Sequence, residues 1–378
     1  MKAKKILVIC PHPEGVAPGQ RLKYEQYFDF LRENGYQITV SPFMTKRLWK
    51  IVYRKGHYFE KIFWTLYGYL RRIGDLVRLP FYDGLYVFLW VVPFGPAVFE
   101  RLFALLKREL VYDIDDLVFL KPKSAANPLV AWLKSEARIV VPLKRARHVI
   151  TCTPALDTFA RRYNDKTTDI SSTINTDVYV PANRYVNEGP ITLGWSGSHS
   201  TVQYLHLLDD VLRQLAAEIP LRLLVIGDTD FHIDGVDGTA IAWNPTTEVR
   251  DLQRIDIGLY PLPDAEWVYG KSGLKALQYM ALGIPTVATA IGANFRIIDD
   301  GVSGFLVRTP QEWKEKIRLL AASADLRRSI GVKGRARVER DYSVRANRDT
   351  YLAIYDRVYR SRETRNATFP IEVKSSVG

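Results

Sequence analysis

The sequence has little cysteine and no long apolar run. Only Cys10 and Cys152 occur among 378 residues, so a disulfide framework is excluded and a reducing compartment is expected. A membrane-spanning helix needs about 18 or more consecutive apolar residues, and the nearest stretch, 85–99, is shorter and interrupted by proline. The opening residues MKAKKILVIC fit a short strand rather than a secretory signal. We therefore expect a cytoplasmic protein, at most peripheral at the inner face of a membrane.

Acidic residues are too few to balance the basic ones, and the net charge is +12. A basic surface suits nucleic acid, anionic lipid or phosphorylated small molecules. The sequence contains no zinc-finger spacing, RNA-recognition signature or basic-region heptad, so nucleic acid is not expected as a partner. Anionic lipid and phosphorylated ligands remain.

Much of the positive charge lies in an aromatic-rich insert at about residues 43–80. Its basic residues are Lys46, Arg47, Lys50, Arg54, Lys55, Lys61, Arg71, Arg72 and Arg78. Apolar residues follow one another at helical spacing: Phe59, Ile62, Phe63, Leu66, Leu70 and Ile73. Basic residues with aromatics on an amphipathic helix are typical of an element that binds an anionic membrane surface. In the alternative, the apolar stripe faces the core and the basic side faces solvent.

Strands and helices alternate along the chain in two series. The strand patterns of the first series are 6–10, 36–41, 84–92, 110–114 and 149–153. Those of the second series are 191–195, 221–226, 257–260, 286–289 and 305–307. This alternation predicts an α/β protein with two Rossmann-like, doubly wound domains facing a central cleft. We expect domains over 1–186 and 187–343, a helix over 344–365 that packs back on the first domain, and a tail over 366–378.

The most informative segment is 270–289, GKSGLKALQYMALGIPTVAT. It predicts a helix from about Ser272 to Gly283, followed by a short buried strand. Lys271, Lys275 and Gln278 remain as polar residues at or near the helix start. Helix starts favour anions, because their N–H groups and their dipole both attract negative charge. The segment therefore predicts a phosphate site beside a hydrogen-bonding amide.

Three motifs carry a family resemblance. LQYMALGIPTVAT and IGANFRIIDDGVSGFLV lie within 277–307, and GVAPGQRLKYEQYFDFLRENGYQITV forms 15–40. The chain resembles the GT-B glycosyltransferases of the retaining family-4 group, also called glycosyl transferases group 1. The segment with Asn175, Asp177, Tyr179 and Pro181 is also similar to the family's entry into its second domain.

The resemblance implies transfer of a sugar, with retained anomeric configuration, from a UDP- or GDP-sugar to a glycan or lipid-linked acceptor. Cell-surface polysaccharide or glycolipid synthesis is the implied pathway, and no metal ion or other cofactor is required. The first domain would bind the acceptor and the second the nucleotide sugar. Two alternatives stay open, a non-catalytic nucleotide-sugar-binding subunit and a GT-B nucleotide-sugar epimerase.

The chain departs from the family pattern near the donor. The family keeps two glutamates eight positions apart, where this chain has Gly270 and Gln278. The resemblance places Gln278 at the donor ribose and leaves the sugar-contact role to Lys271 or Glu266. The family's arginine and lysine after the first strand of the second domain are replaced by the turn GSHST, and Lys271, Lys275 or Arg21 would restore their charge. The donor-binding candidates are Gly19, Arg21, Gly197, Ser198, Lys271, Lys275, Gln278, Gly292, Ala293 and Asn294.

Gly197 and Ser198 are expected to offer backbone N–H groups and a hydroxyl to the diphosphate. The catalytic candidates are Asp113, Asp115, Asp116 and Lys271. An aspartate facing the cleft would orient the acceptor hydroxyl or act as its base, while capping of a following helix is the structural alternative. Aspartates at this spacing bind metals in the other glycosyltransferase fold, GT-A, but two parallel-sheet domains argue against that fold. His12 and His199 are either leaving-group contacts or plain loop residues.

Overall fold

A computed structural model describes residues 3–115, 136–182, 185 and 189–360. These residues form two six-stranded sheets, and all strand pairs in both sheets are parallel. The predicted α/β class with two doubly wound domains is confirmed. Within the same residues, no helix has the length and apolar character needed to cross a membrane.

The first sheet has the strand order β2-β1-β3-β4-β5-β6. Its strands are β1 Lys4–Cys10, β2 Tyr36–Pro42, β3 Gly84–Phe88, β4 Leu110–Asp113, β5 His148–Thr151 and β6 Thr167–Asp169. Its helices are α1 Pro18–Arg21, α2 Phe28–Glu33, α3 Lys46–Ile51, α4 Tyr58–Arg78, α5 Val98–Leu106, α6 Ala137–Arg145 and α7 Pro154–Arg161. Since β3 is buried along its whole length, the sheet is covered on both faces.

The second sheet has the order β12-β11-β10-β7-β8-β9. Its strands are β7 Ile191–Ser196, β8 Leu221–Ile226, β9 Gly238–Ile241, β10 Ile257–Tyr260, β11 Thr286–Thr289 and β12 Phe305–Val307. The helices are α8 Asp209–Glu218, α9 Glu248–Leu252, α10 Leu274–Ala281, α11 Asn294–Ile297, α12 Pro310–Ala322, α13 Ala324–Arg337 and α14 Val344–Tyr359. Helix α10 is the helix predicted over 272–283, and it ends before Gly283, whose φ is +67°.

The chain crosses between the domains twice. The two crossing segments meet where Ile174 pairs with Ser343. Beyond this point α14 returns to the first sheet, and its side chains share a buried cluster with Ile6, Val8 and Tyr86. Gly84 leaves room for this packing, because a Cβ there would lie 2.2 Å from the ring of Tyr359.

Candidate active site

Side chains of the two domains meet beyond the carboxyl ends of the strands. Arg21 of α1 donates to Glu248 of α9, with Nη2 2.5 Å from Oε2. Arg296 of α11 bonds to Asp169 at the end of β6. This is the edge at which open α/β sheets bind their ligands.

Glu248 is the centre of a buried polar cluster and is only 4% exposed. It accepts hydrogen bonds from Arg21, from the Tyr179 hydroxyl at 2.9 Å, from the Trp243 indole at 3.0 Å and from the Gln278 amide at 3.0 Å. The Gln278 amide also donates to the Tyr179 hydroxyl at 3.1 Å. Sequence reasoning missed Glu248. The sequence feature that could have indicated it is its position at the start of a helix that follows a strand.

Lys275 lies in the second domain, next to the turn after β7. Its Nζ is 5.2 Å from the ring centroid of Trp195 and 5.5 Å from that of Tyr260. A Cβ at Gly197 would lie 2.9 Å from Lys275 Cε, so the lysine stem touches this turn. Among the described residues, no carboxylate pairs with Lys275. Burial, and secondarily the charge of Lys271, lowers the pKa of Lys275 to about 8, as expected for an ammonium group that lacks an anion.

Two N–H groups of the turn after β7 already have acceptors within the protein. The Gly197 N–H donates to the Ile226 carbonyl at 2.9 Å, and the Ser198 N–H donates to the Thr201 hydroxyl at 3.1 Å. The prediction that these two N–H groups are offered to a diphosphate is therefore corrected. The N–H groups of His199 and Ser200 are the ones without an acceptor within the described part of the chain.

The loop after β11 is held in place by Asn294. The Asn294 amide donates to the Thr289 carbonyl at 2.9 Å, and its backbone N–H donates to the Ile291 carbonyl at 3.2 Å. Asn294 thus fixes the loop, which corrects its assignment as a donor-binding residue. The N–H groups of Gly292 and Ala293 have no acceptor among the described residues, so their part in donor binding stays a prediction.

The aspartates after β4 have different environments. Asp113 is fully buried, with Oδ1 2.6 Å from Lys23 Nζ, and it accepts a hydrogen bond from Tyr86. Because no face of Asp113 reaches solvent, its assignment as a catalytic residue is corrected to that of a buried ion-pair partner. Asp115 is 16% exposed, and a Cβ at Gly19 would lie 2.8 Å from its Oδ2. Asp116 lies outside the described residues.

The remaining candidates lie around the same edge. Lys271 Nζ is 5.5 Å from the ring centroid of Trp267, and Gly270 is buried. His12 packs on Trp49 with ring centroids 4.7 Å apart, and burial lowers the pKa of His12 to about 4, so its ring is neutral near pH 7. His199 bonds to Asp228 at 2.5 Å.

Comparison with known proteins finds a family match in the second domain. Residues 190–323 match the family described as glycosyl transferases group 1. D-inositol 3-phosphate glycosyltransferase from Segniliparus rotundus is 36% identical over 161 residues, which are 39% of this chain and 36% of that protein. The chain thus spans about a third of this curated relative.

Two solved structures are similar to almost the whole chain. Sucrose-phosphate synthase from Thermosynechococcus elongatus has a TM-score of 0.68 at 16% identity, over 95% of this chain and 100% of that one. Anabaena Alr3699/HepE in complex with UDP and glucose has a TM-score of 0.61 at 16% identity, over 96% and 100%. These likenesses show the fold, which is the GT-B arrangement of two Rossmann-like domains. The match to the glycosyl transferases group 1 family lies in the second domain, so that domain is similar to this family.

Proposed function

We propose that this protein transfers a sugar with retention from a nucleotide diphosphate sugar to a glycan or lipid-linked acceptor in cell-surface polysaccharide or glycolipid synthesis. The observation that carries the proposal is Lys275. It is an ammonium group without a carboxylate partner among the described residues, and it touches the turn after β7. This turn is where the chain lacks the arginine and lysine expected for a diphosphate.

The donor would lie along α10. Lys275 and Lys271 would bind the diphosphate, since the charge of Lys271 disfavours the charged form of Lys275 and a bound anion would offset this cost. The N–H groups of Gly292 and Ala293 would add dipoles. One turn further along the helix, the Gln278 amide oxygen and the Glu248 carboxylate would accept hydrogen bonds from ribose hydroxyls. Arg21 would reach the diphosphate from the first domain.

The chemistry of this site would be leaving-group stabilisation. The acceptor hydroxyl oxygen bonds to the anomeric carbon on the face from which the diphosphate oxygen departs, and the hydroxyl proton passes to the departing phosphate. The lysines would stabilise the negative charge that develops on the leaving oxygen. Asp115, which borders the first loop at Gly19, is the remaining described aspartate that would orient the acceptor. Because the lysines supply the positive charge, we propose that no metal ion is needed.

Titration calorimetry with UDP and GDP tests the donor site, and product analysis tests the reaction. We expect one of the two nucleotides to bind and Lys275→Ala to weaken it. Incubation of the matching sugar nucleotide with an acceptor should then give an α- or β-linked product of the donor's own configuration, with or without a chelator. A wild-type protein that binds neither nucleotide contradicts the proposal.

Gly270 favours a second function, that of a nucleotide-sugar-binding subunit. It is buried and has no side chain at the position where the family keeps a carboxylate. Donor binding without any turnover would support this role. Turnover without an acceptor, giving an epimerised sugar, would instead support an epimerase.

A further inference from the structure

Helix α4 is amphipathic, and its apolar face points to solvent. Exposed residues recur along one side of it: Phe59, Ile62, Phe63, Leu66, Tyr67, Leu70, Ile73 and Val77. Phe59 is 92% exposed and Val77 69%. The opposite side, which faces the domain, contains the buried Gly68, Arg72 and Asp75. The sequence-based alternative in which the apolar stripe packs into the core is therefore wrong.

The buried side of α4 fixes the helix firmly. The Arg72 guanidinium donates to the carbonyls of Cys10 at 3.0 Å and Val91 at 2.8 Å, and to Asp75 at 2.9 Å. Gly68 lets the helix approach the sheet, because a Cβ there would lie 2.7 Å from the ring of Phe43. Because these contacts hold α4 on its inner side, its apolar side stays directed to solvent.

The apolar face continues onto neighbouring segments. Helix α5 packs beside α4 and exposes Val98, Leu102, Leu105 and Leu106. Phe81 and Phe94 are exposed on the connecting segments. We call the exposed apolar residues of α4, α5 and these two segments the docking surface. Exposed apolar patches of this extent are uncommon on monomeric soluble proteins and mark an interaction site.

Charge indicates the partner. Exposed basic residues occur in α3, α4, α5 and the segments that flank them: Lys46, Arg47, Lys50, Arg54, Lys55, Arg78, Arg101 and Arg108. Glu60, an acidic residue of α4, already bonds to Arg47, and Asp75 is buried against Arg72. An apolar surface with a basic border and tyrosines complements the headgroups and upper acyl chains of an anionic membrane.

We propose that the docking surface lies in the interface of an anionic lipid membrane, with α4 and α5 in the plane of the bilayer. The membrane contact itself does not depend on the transfer reaction. Its consequence for the acceptor rests on the proposed function. The ring of exposed Tyr53 contacts that of Trp49, with centroids 5.9 Å apart, and Trp49 in turn contacts His12, with centroids 4.7 Å apart. His12 belongs to the first loop, so a lipid-linked acceptor held at the membrane would reach the cleft along this side.

Sedimentation of the full chain with vesicles tests the proposal. Phosphatidylcholine vesicles with and without phosphatidylglycerol are the probes. The wild type should bind the anionic vesicles. The triple variant Phe59→Ser, Phe63→Ser, Leu66→Ser should lose binding by well over tenfold, because one buried apolar side chain contributes about tenfold or more. The matched control Leu207→Ser, Leu319→Ser, Val332→Ser removes exposed apolar residues of the second domain and should bind like the wild type.

A charge pair of variants separates lipid charge from hydrophobic adsorption. Lys50→Gln with Arg54→Gln should weaken binding by about fivefold for each charge removed. Arg328→Gln with Lys333→Gln, on exposed positions of α13, should not. The loss of vesicle binding caused by Lys50→Gln with Arg54→Gln should become smaller as salt is added, because salt screens the charges.

Two results would overturn the membrane proposal. One is a triple serine variant that binds anionic vesicles as the wild type does. The other is a wild-type protein that does not bind vesicles but forms a dimer, which the serine substitutions dissociate. The docking surface would then be an interface between two copies of the chain. Circular dichroism of each variant checks folding. Nucleotide affinity, measured on the same variants, should equal that of the wild type. A wild type that binds vesicles but no nucleotide would contradict the proposed donor site and leave the membrane proposal intact.

Discussion

At the scale of the residue, Lys275 is the side chain whose properties most directly predict an experiment. The Lys275→Ala variant should bind the nucleoside diphosphate about tenfold or more weakly, because a charge-assisted hydrogen bond is lost. Lys314 is a half-buried lysine of α12 bonded to Gln214, and Lys314→Ala is the matched control that should bind normally. Calorimetric titration measures both.

The lowered pKa of Lys275 adds a pH dependence. Below its pKa of about 8 the ammonium is charged, and above it the amine is neutral. Nucleotide affinity of the wild type should therefore fall as the pH rises through 8, with proton uptake on binding above that value. The Lys275→Ala variant should lack this step. The same step in both proteins would show that another group titrates.

Glu100 is a second residue with a testable titration. Burial raises the pKa of Glu100 from its ordinary 4.5 to about 7, and neighbouring Arg138 only partly opposes this. The folded protein thus retains a proton that the unfolded chain releases, so stability falls as the pH rises from 4.5 to 7. Glu100→Gln removes this cost and should raise the free energy of unfolding above pH 7 by about 3 kcal/mol at most.

Urea denaturation of wild type and Glu100→Gln at pH 4.5 and above pH 7 measures the effect. At pH 4.5 the two proteins should be nearly equal, because the wild-type carboxyl is then protonated in the folded state and still about half protonated in the unfolded chain, so most of the cost has not yet appeared. A difference of the same size at both pH values would mean that packing, not charge, separates the two proteins.

At the scale of the element, the contact of α14 with β3 depends on a glycine. Gly84→Ala places a Cβ 2.2 Å from the Tyr359 ring, and overpacking of this kind costs about 1–3 kcal/mol. The free energy of unfolding should fall accordingly. Gly74→Ala is the matched control within α4, where nothing lies within 4 Å of the new Cβ, and it should stabilise by about 0.5–1 kcal/mol. Denaturant unfolding compares them, and equal effects would contradict this packing.

Sequence patterns predicted apolar strands better than short strands with partly exposed side chains. β8, β10, β11 and β12 have the predicted bounds, because continuous apolar runs ended by turn residues leave few alternatives. β6 and β9 were missed, since Thr167–Asp169 and Gly238–Ile241 are short, partly exposed edge strands. Their pairing is fixed by the neighbouring strand rather than by their own side chains.

At the scale of the whole molecule, Arg21 and Glu248 connect the two domains. Arg21→Met removes this contact between domains, while Arg318→Met removes an exposed pair with Glu218 inside the second domain. We expect the first variant to have a larger radius of gyration in small-angle X-ray scattering and the second to match the wild type. An unchanged radius in Arg21→Met would show that Arg296 and the crossing segments alone maintain the closed arrangement.

The sequence by itself determined the class of fold and the position of helix α10. Periodicity and glycine positions are local properties, so α10 and its lysines were predicted where they lie. Tertiary structure decided which groups are accessible. It paired Asp113 with Lys23, occupied the N–H groups of Gly197 and Ser198, and brought Glu248 to Gln278 from thirty residues away.

Tertiary structure also decided which way α4 faces. The sequence contained an apolar stripe and a basic side, and periodicity alone cannot say which one meets the protein. The buried bonds of Arg72 with Asp75 and the Cys10 carbonyl made that choice. The physical reason is that hydrogen bonding and burial depend on neighbours distant in sequence, whereas helix formation depends on neighbours within a few residues.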